Sequence, residues 1–334
     1  MTHFGFPPDA VLIFFAVIAL SVITDLLAHR RAKAITVRGA SLWTAFWVAL
    51  ALGFYAFLWL RFDRQWADLY LAGYVLEESL SIDNLMVFMA IFASFGIRDT
   101  LQHRILYWGI LGAMVFRAVF VAAGTELFQL TPWVGFIFAA IVAWSGWKML
   151  TRDEAAETVE DYTHHWSLRL TARLLPVFPR LDGERFLIGR ARARALAASD
   201  PTLRLSRDSA LYATPALLCL VAIETSDVMF AFDSVPAVIA VTHEPLLVYA
   251  AMIFAVLGLR SLYFVLAALT RVLVHLEKAV IALLFFIAAK LSMEAGEQVF
   301  GWSVPHFGPG TSLGVVMLTL GVGIGASLVW PRRQ

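Results

Sequence analysis

Again and again the chain runs apolar for about the length of a bilayer crossing, and this constrains its fold more than any other feature. A run of roughly 18 or more apolar residues reads as a spanning helix, because in lipid the backbone must satisfy its own N–H and C=O groups. Such runs lie at about 10–28, 41–60, 69–95, 105–123, 132–150, 211–240, 246–269, 272–293 and 311–330. They predict an all-α polytopic membrane protein with nine spans. Composition agrees: 60% of the 334 residues are apolar and 15% are charged, against roughly 25% charged in soluble domains. Residues 1–9 hold no Lys or Arg, so the first run predicts a retained helix and not a cleaved secretory signal. The single cysteine, Cys219, excludes an intrachain disulfide and reads as an inert thiol inside an apolar run. A net charge of +1 with no basic patch among aromatics argues against nucleic acid as a partner. The bilayer is the partner that this composition requires.

Charge in the gaps predicts orientation, because cytoplasmic loops collect Lys and Arg. The first gap holds Arg30, Arg31, Lys33 and Arg38, and the third holds Arg98 and Arg104. The long fifth gap holds Arg152, Arg169, Arg173, Arg180, Arg185, Arg190, Arg192, Arg194, Arg204 and Arg207. The seventh has Arg271 and Lys278, and the tail has Arg332 and Arg333. The even gaps are nearly bare, with only Arg61 and Arg64 in the second, beside Asp63 and Asp68. The alternation places the N-terminus outside and the C-terminus in the cytoplasm. The segment 151–209 reads as a solvated cytoplasmic linker that also carries Asp153, Glu154, Glu157, Glu160 and Asp161. Its Arg190–Arg194 run offers contacts to anionic headgroups as an alternative reading.

An internal repeat organises the spans. Asp83, Arg117 and Lys148 are spaced 34 and 31 apart, and Asp227, Arg260 and Lys290 are spaced 33 and 30 apart. The flanks agree loosely, with residues 109–117 reading GILGAMVFR and residues 252–260 reading MIFAVLGLR. Spans 3–5 therefore read as a copy of spans 6–8. Each copy has an odd number of helices, so the two enter the membrane from opposite sides. That is an inverted repeat of three plus three helices, a plan shared by many secondary transporters. The chain divides into two peripheral spans at 1–68, a first repeat at 69–150, the loop at 151–209, a second repeat at 210–295, and a ninth span with its tail at 296–334.

The chemistry lies in spans 3 and 6. Span 3 carries Glu77, Glu78, Ser79, Ser81, Asp83 and Asn84, and span 6 carries Glu224, Thr225, Ser226, Asp227, Asp233 and Ser234. A charged side chain at a helix centre costs about 2.5–3.5 kcal/mol on insertion scales, so six carboxylates total roughly 15–20 kcal/mol. Such a load requires water, partners or a bound cation. Glu77, Ser81 and Asn84 share one helical face with Asp83 at its edge, and Glu224 shares a face with Asp227. Asp233 lies about half a turn round, and Pro236 is expected to break the helix and re-aim it. These are hard oxygen donors with no Cys or His among them, a set that suits Mg²⁺, Ca²⁺ or Mn²⁺ over zinc or copper. Arg117 and Arg260 read either as charge partners of a cation site or as structural residues, held in a fixed buried ion pair or snorkelling toward the interface. Lys148 and Lys290 are expected to snorkel at span ends, His243 and His275 to be ordinary loop residues, and Gly321, Gly323 and Gly325 to let helices pack closely. No nucleophile–base pair lies in a span, so an enzyme is not expected.

The segments Glu77-x-Ser-Leu-x-x-Asp-Asn84, Leu211-Tyr-Ala-Thr-Pro215 and Glu224-x-Ser-Asp-x-x-Phe-Ala-x-Asp-Ser-x-Pro236 resemble the TerC family. The length, the central loop and Leu257-Gly-Leu-Arg260 are most similar to its Alx branch. The resemblance covers about residues 10–330. It implies a manganese(II) exporter of the LysE superfamily in the bacterial inner membrane, with Mn²⁺ as transported substrate and no resident cofactor. It implies metal contacts from Glu77, Asp83, Asn84, Glu224, Asp227 and Asp233. Ser81, Ser226, Ser234, Arg117 and Arg260 are expected to support them. Glu78 departs from the family pattern and is left out of that set. Protons are the expected coupling ion. A transporter of another divalent cation such as Ca²⁺, or a non-transporting scaffold in a tellurium or stress response, are the alternatives.

Overall fold

The protein, seen in a computed structural model, is described over residues 6–28, 36–97, 99–151, 166–200, 208–269, 275–305 and 307–329. Of the charged residues noted above, Arg30, Arg31, Lys33, Arg98, Arg152, Arg204, Arg207, Arg271, Arg332, Arg333 and the acids of 153–161 lie outside the described residues.

Nine long helices occur among these residues: α1 (Pro8–Ala28), α2 (Val37–Arg61), α3 (Arg64–Ser94), α4 (Asp99–Leu130), α5 (Trp133–Leu150), α8 (Pro215–Val241), α9 (Pro245–Leu269), α10 (Leu276–Phe300) and α11 (Pro309–Val329). Each coincides with one expected span. Seven of them are long and apolar enough to cross a membrane. The other two are α1, whose described apolar stretch is shorter, and α3, which carries the carboxylates.

Local chemistry sets the ends. Thr36 caps α2 by accepting from the Gly39 N–H at 3.2 Å, and Asp63 caps α3 by accepting from the Trp66 N–H at 3.0 Å. Pro215 opens α8, where a missing N–H is harmless. Gly301 ends α10 in the left-handed region at φ 68°, which admits glycine without a Cβ clash. Pro236 does not break α8. The helix continues to Val241, and Pro236 is buried within it, merely lacking the N–H that would bond Phe232.

Packing has a definite order. α9 is apolar on every side, and α2, α3 and α4 surround it. The pair α3 and α9 run parallel, with Gly73 beside Ala251 and Glu78 beside Gly258. The pair α4 and α8 also run parallel, with Gly109 beside Ile223 and Gly124 beside Val235 and Ile239. α5 runs antiparallel to α10, with Gly135 against Ala295 and Gly146 against Leu284. α3 crosses α8 antiparallel, with Gly73 near Val238 and Phe88 near Phe230. Of Gly321, Gly323 and Gly325 in α11, only Gly323 makes a close approach, because a Cβ there would lie 2.6 Å from the Ala279 Cβ; Gly321 and Gly325 face open space.

The segment after α5 is not a plain linker. Two short helices, α6 (Trp166–Leu174) and α7 (Arg190–Ser199), and an antiparallel pair, β1 (Leu187–Gly189) and β2 (Leu211–Ala213), build a small module. Phe178, Ile188, Ala193 and Tyr212 form its core. Thr214, just before α8, ties it down by donating its hydroxyl to the Arg185 and Phe186 carbonyls. Arg104 of α4 pairs with Glu184 at 3.2 Å and lies over the Phe186 ring. The module therefore sits at the end of the bundle where α4 and α8 begin.

Candidate functional site

The acidic helices meet through an arginine. Arg117 of α4 is fully buried and donates to Glu77 of α3 and, at 3.1 Å, to Asp227 of α8. Glu77 is 0% exposed and Asp227 4%. Arg117 is buried and paired, which fits either reading of it, and it joins both acidic helices. A guanidinium is suited to this because its planar fork serves two carboxylates at once.

The triad carries two negative charges against one positive, and it leaves oxygens over. Among the described residues, Glu77 Oε2, Asp227 Oδ2, Glu224 Oε2 and Ser81 Oγ are buried without a hydrogen-bond partner. Most buried polar atoms are paired, so four such oxygens on facing helices call for an explanation. Ser234 lies close to the Glu77 carboxylate.

The remaining expected residues have different neighbours. Glu224 lies against α4 at Gly112, where an added Cβ would overlap its carboxylate. Asp233 accepts from the Ser145 hydroxyl of α5. Ser226 bonds its own helix at the Ala222 carbonyl. Asn84 is buried and Asp83 half-buried on α3, and Arg260 is buried on α9. Glu78 points the other way, toward Gly258 of α9. Among the described residues, no three His, Cys, Asp or Glu side chains gather as a ready metal cage. The Arg117 guanidinium lies between the Glu77 and Asp227 carboxylates.

Sequence reasoning missed Gly112 and Ser145. Gly112 lies in the flank that matches the second repeat, where the same offset from Arg260 gives Ala255. The recess for Glu224 is thus particular to α4. Nothing in the sequence singles out Ser145.

At the far end of α8 the expectation for Lys290 changes. Lys290 does not snorkel. It is 5% exposed and donates to the Ala240 carbonyl at 2.9 Å, with Glu294 3.7 Å away. The reason is that α10 runs on to Phe300, so Lys290 is well inside it. His243, after α8, stacks on Phe128 with 5.0 Å between ring centroids and lies 3.7 Å from Glu294. Its partial burial, with 48% of the side chain still exposed, and then the Lys290 charge push its imidazole down, to about 4.

Several long apolar helices around a buried layer of charge define a multi-pass α-helical membrane protein. The chain belongs to the TerC family: residues 62–334 match the Integral membrane protein TerC family. It is 49% identical over 338 residues to the Tellurium resistance protein TerC of Serratia marcescens, covering 99% of this chain and 97% of that one. It is 47% identical to the protein of the same description from Alcaligenes sp, with the same coverage. It is 34% identical over 288 residues to the Putative membrane-bound redox modulator Alx of Escherichia coli (strain K12), covering 83% and 84% of the two chains. No solved structure matches it.

Proposed function

We propose that this chain is a secondary transporter, not an enzyme, that exports a divalent cation, Mn²⁺ first among them, across the bacterial inner membrane in exchange for protons. The observation that carries this reading is the Glu77–Arg117–Asp227 triad with its surplus carboxylate oxygens. Membrane-buried charge of this kind marks ion pathways. The donors are hard oxygens, which suit Mn²⁺, Mg²⁺ and Ca²⁺.

All nine long helices are read as spanning, with the N-terminus outside and the Arg-rich gaps in the cytoplasm. The packing supports an inverted repeat in which α3, α4 and α5 correspond to α8, α9 and α10. Exchanging the two sets turns the parallel pair α3/α9 into the parallel pair α8/α4, and it leaves the antiparallel pairs α3/α8 and α5/α10 as they are. Rocking one set against the other would open Glu77 and Asp227 alternately to the two sides.

The ion and Arg117 compete for the same oxygens. An arriving M²⁺ takes Glu77 and Asp227 and displaces the guanidinium, with Glu224, Asp83, Asn84 and Asp233 drawn in from the neighbouring turns. Protons reaching the carboxylates from outside remove ligand charge and the ion leaves; once the site faces the cytoplasm those protons depart and Arg117 pairs with the bared carboxylates again. In this cycle Arg117 prevents two bare carboxylates from facing each other in a dry site.

Cells that lack the protein should accumulate Mn²⁺ and lose the excess when it is restored. Asp227→Asn and Asp83→Asn should abolish that loss while the variants still elute as folded protein. Full export by both would overturn the site. Competition by Ca²⁺ and Mg²⁺ in liposomes tests the substrate. The folded module between α5 and α8 favours one second reading, a scaffold that recruits other proteins under stress. Removing residues 160–205 should spare liposome transport under the first reading; under the second the liposomes transport nothing with or without them.

A further inference from the structure

The arginines of the module fall into two groups. Arg180 pairs with Asp200 at 3.4 Å, Arg185 with Asp182 at 3.7 Å, and Arg192 with Asp182 at 2.9 Å. Arg190 and Arg194 share Asp208 at 3.4 and 2.9 Å. These five share three carboxylates, Asp182, Asp200 and Asp208, so each guanidinium of the Arg190–Arg194 run is already engaged by an acid. Arg169 and Arg173 of α6 differ. Both are exposed, and neither has an acidic partner among the described residues.

α6 is amphipathic with three distinct sides. Ser167 and Leu168 are buried, and Leu168 joins the cluster formed by Phe92, Leu101, Ile105, Ala216 and Cys219 at the ends of α3, α4 and α8. Trp166, Leu170 and Leu174, at i, i+4 and i+8, form a second side that is 58%, 50% and 74% exposed. Arg169 and Arg173, again four apart, form a third side next to that apolar stripe. An exposed apolar stripe would be a liability in water. Here it lies at the end of a bundle whose flanks are apolar, against the first turns of α4 and α8, and Trp108 in the third turn of α4 is also exposed. Tryptophans at this level mark the bilayer interface.

We propose that α6 is an interfacial helix. It sets Trp166, Leu170 and Leu174 into the boundary of the bilayer, while Arg169 and Arg173 hold anionic lipid headgroups. Charge complementarity selects the occupant: two unmatched cations beside an apolar stripe fit an anionic leaflet, and they do not fit the cationic surface of a second copy of the module. α6 packs on α8, the helix that bears Glu224, Asp227 and Asp233, so the lipid surface is mechanically joined to the acidic helix. The proposal stands apart from the transported ion and survives if the ion is misassigned.

The test uses the full chain in vesicles. Cys219 is buried, so a Leu170→Cys variant offers one accessible thiol for a spin label or fluorophore. Ala172→Cys, exposed on the side away from the stripe, serves as the control. In phosphatidylcholine with phosphatidylglycerol, the label at 170 should be quenched from the lipid side and the label at 172 from water. Arg169→Gln and Arg173→Gln should each lower the insertion equilibrium at 170 about fivefold, matching the ~1 kcal/mol that a basic residue contributes near an anionic surface. Omitting phosphatidylglycerol should have the same effect as the double substitution. Three results would overturn the proposal. One is equal water access at 170 and 172. Another is insertion indifferent to lipid charge and to both arginines. The third is protection from both quenchers, which would mean that protein covers the stripe.

Discussion

Two ion triads of opposite composition lie at different depths. In the bundle, one arginine serves two carboxylates: Arg117 between Glu77 and Asp227, all buried. In the module, one carboxylate serves two arginines: Asp182 between Arg185 and Arg192, whose side chains are largely exposed. The groups and contacts are alike, but the surroundings are not. Water around Arg192 and Arg185 screens the surface triad, and such pairs contribute little. Arg117 is buried away from bulk solvent, which cannot take over if a partner leaves, so each member depends on the others. A surface triad orients a loop. A buried one controls whether two helices hold together, and that suits it to be opened by a competing ion.

The contrast is tested most severely at Arg117. Arg117→Gln strands two carboxylates and should cost about 3–5 kcal/mol, read as a large fall in melting temperature in detergent. Adding Glu77→Gln should restore part of the loss, since neighbours in one network are not additive. Equal losses from the single and double variants would mean that the triad is not a unit. Next comes Gly112→Ala, whose Cβ meets only the flexible end of Glu224; the carboxylate must swing away, at a cost of about 1 kcal/mol. Gly53→Ala, where a Cβ meets nothing within 4 Å, is the matched control and should lose nothing.

A smaller effect is expected at His243. Its imidazole is held neutral in the fold, at about 4, whereas an unfolded histidine titrates near ~6.5. Between those values the unfolded chain binds the extra proton, so stability is full above ~6.5 and falls as pH drops toward 4. His243→Gln should flatten that slope in a pH series of melting curves. The smallest effect belongs to the surface triad. The Arg192 hydrogen bond, with the charges of Arg192 and Arg185, holds the Asp182 carboxyl below the usual carboxylate range. Its contribution is present above the unfolded value near ~3.9 and is lost as pH falls through the lower folded value. Asp182→Asn should leave the melting curve near neutral pH almost unchanged. A loss rivalling that of Arg117→Gln would erase the distinction drawn between the two triads.

Much of this was legible in the chain. Apolar runs and caps are local, so the nine long helices coincide with the nine expected segments. Their ends were less legible. The apolar run in α4 begins near 105, but the helix starts at Asp99 and runs to Leu130, because Gln102, Glu126 and Gln129 are compatible with a helix without being apolar. The same effect at α10 hid Lys290 inside a helix that was expected to end beside it. The module was illegible because its strands are three residues long and its core is four side chains from distant positions.

What the sequence by itself determined is the solvent, the helices and the placing of costly acids on α3 and α8, because hydropathy and helical period are properties of neighbouring residues. The tertiary structure alone decided how those acids are spent. It put Arg117 between Glu77 and Asp227, Ser145 on Asp233, and Gly112 where Glu224 needed room. Those partners lie on other helices, and which faces meet depends on the packing of the whole bundle, which no local pattern records.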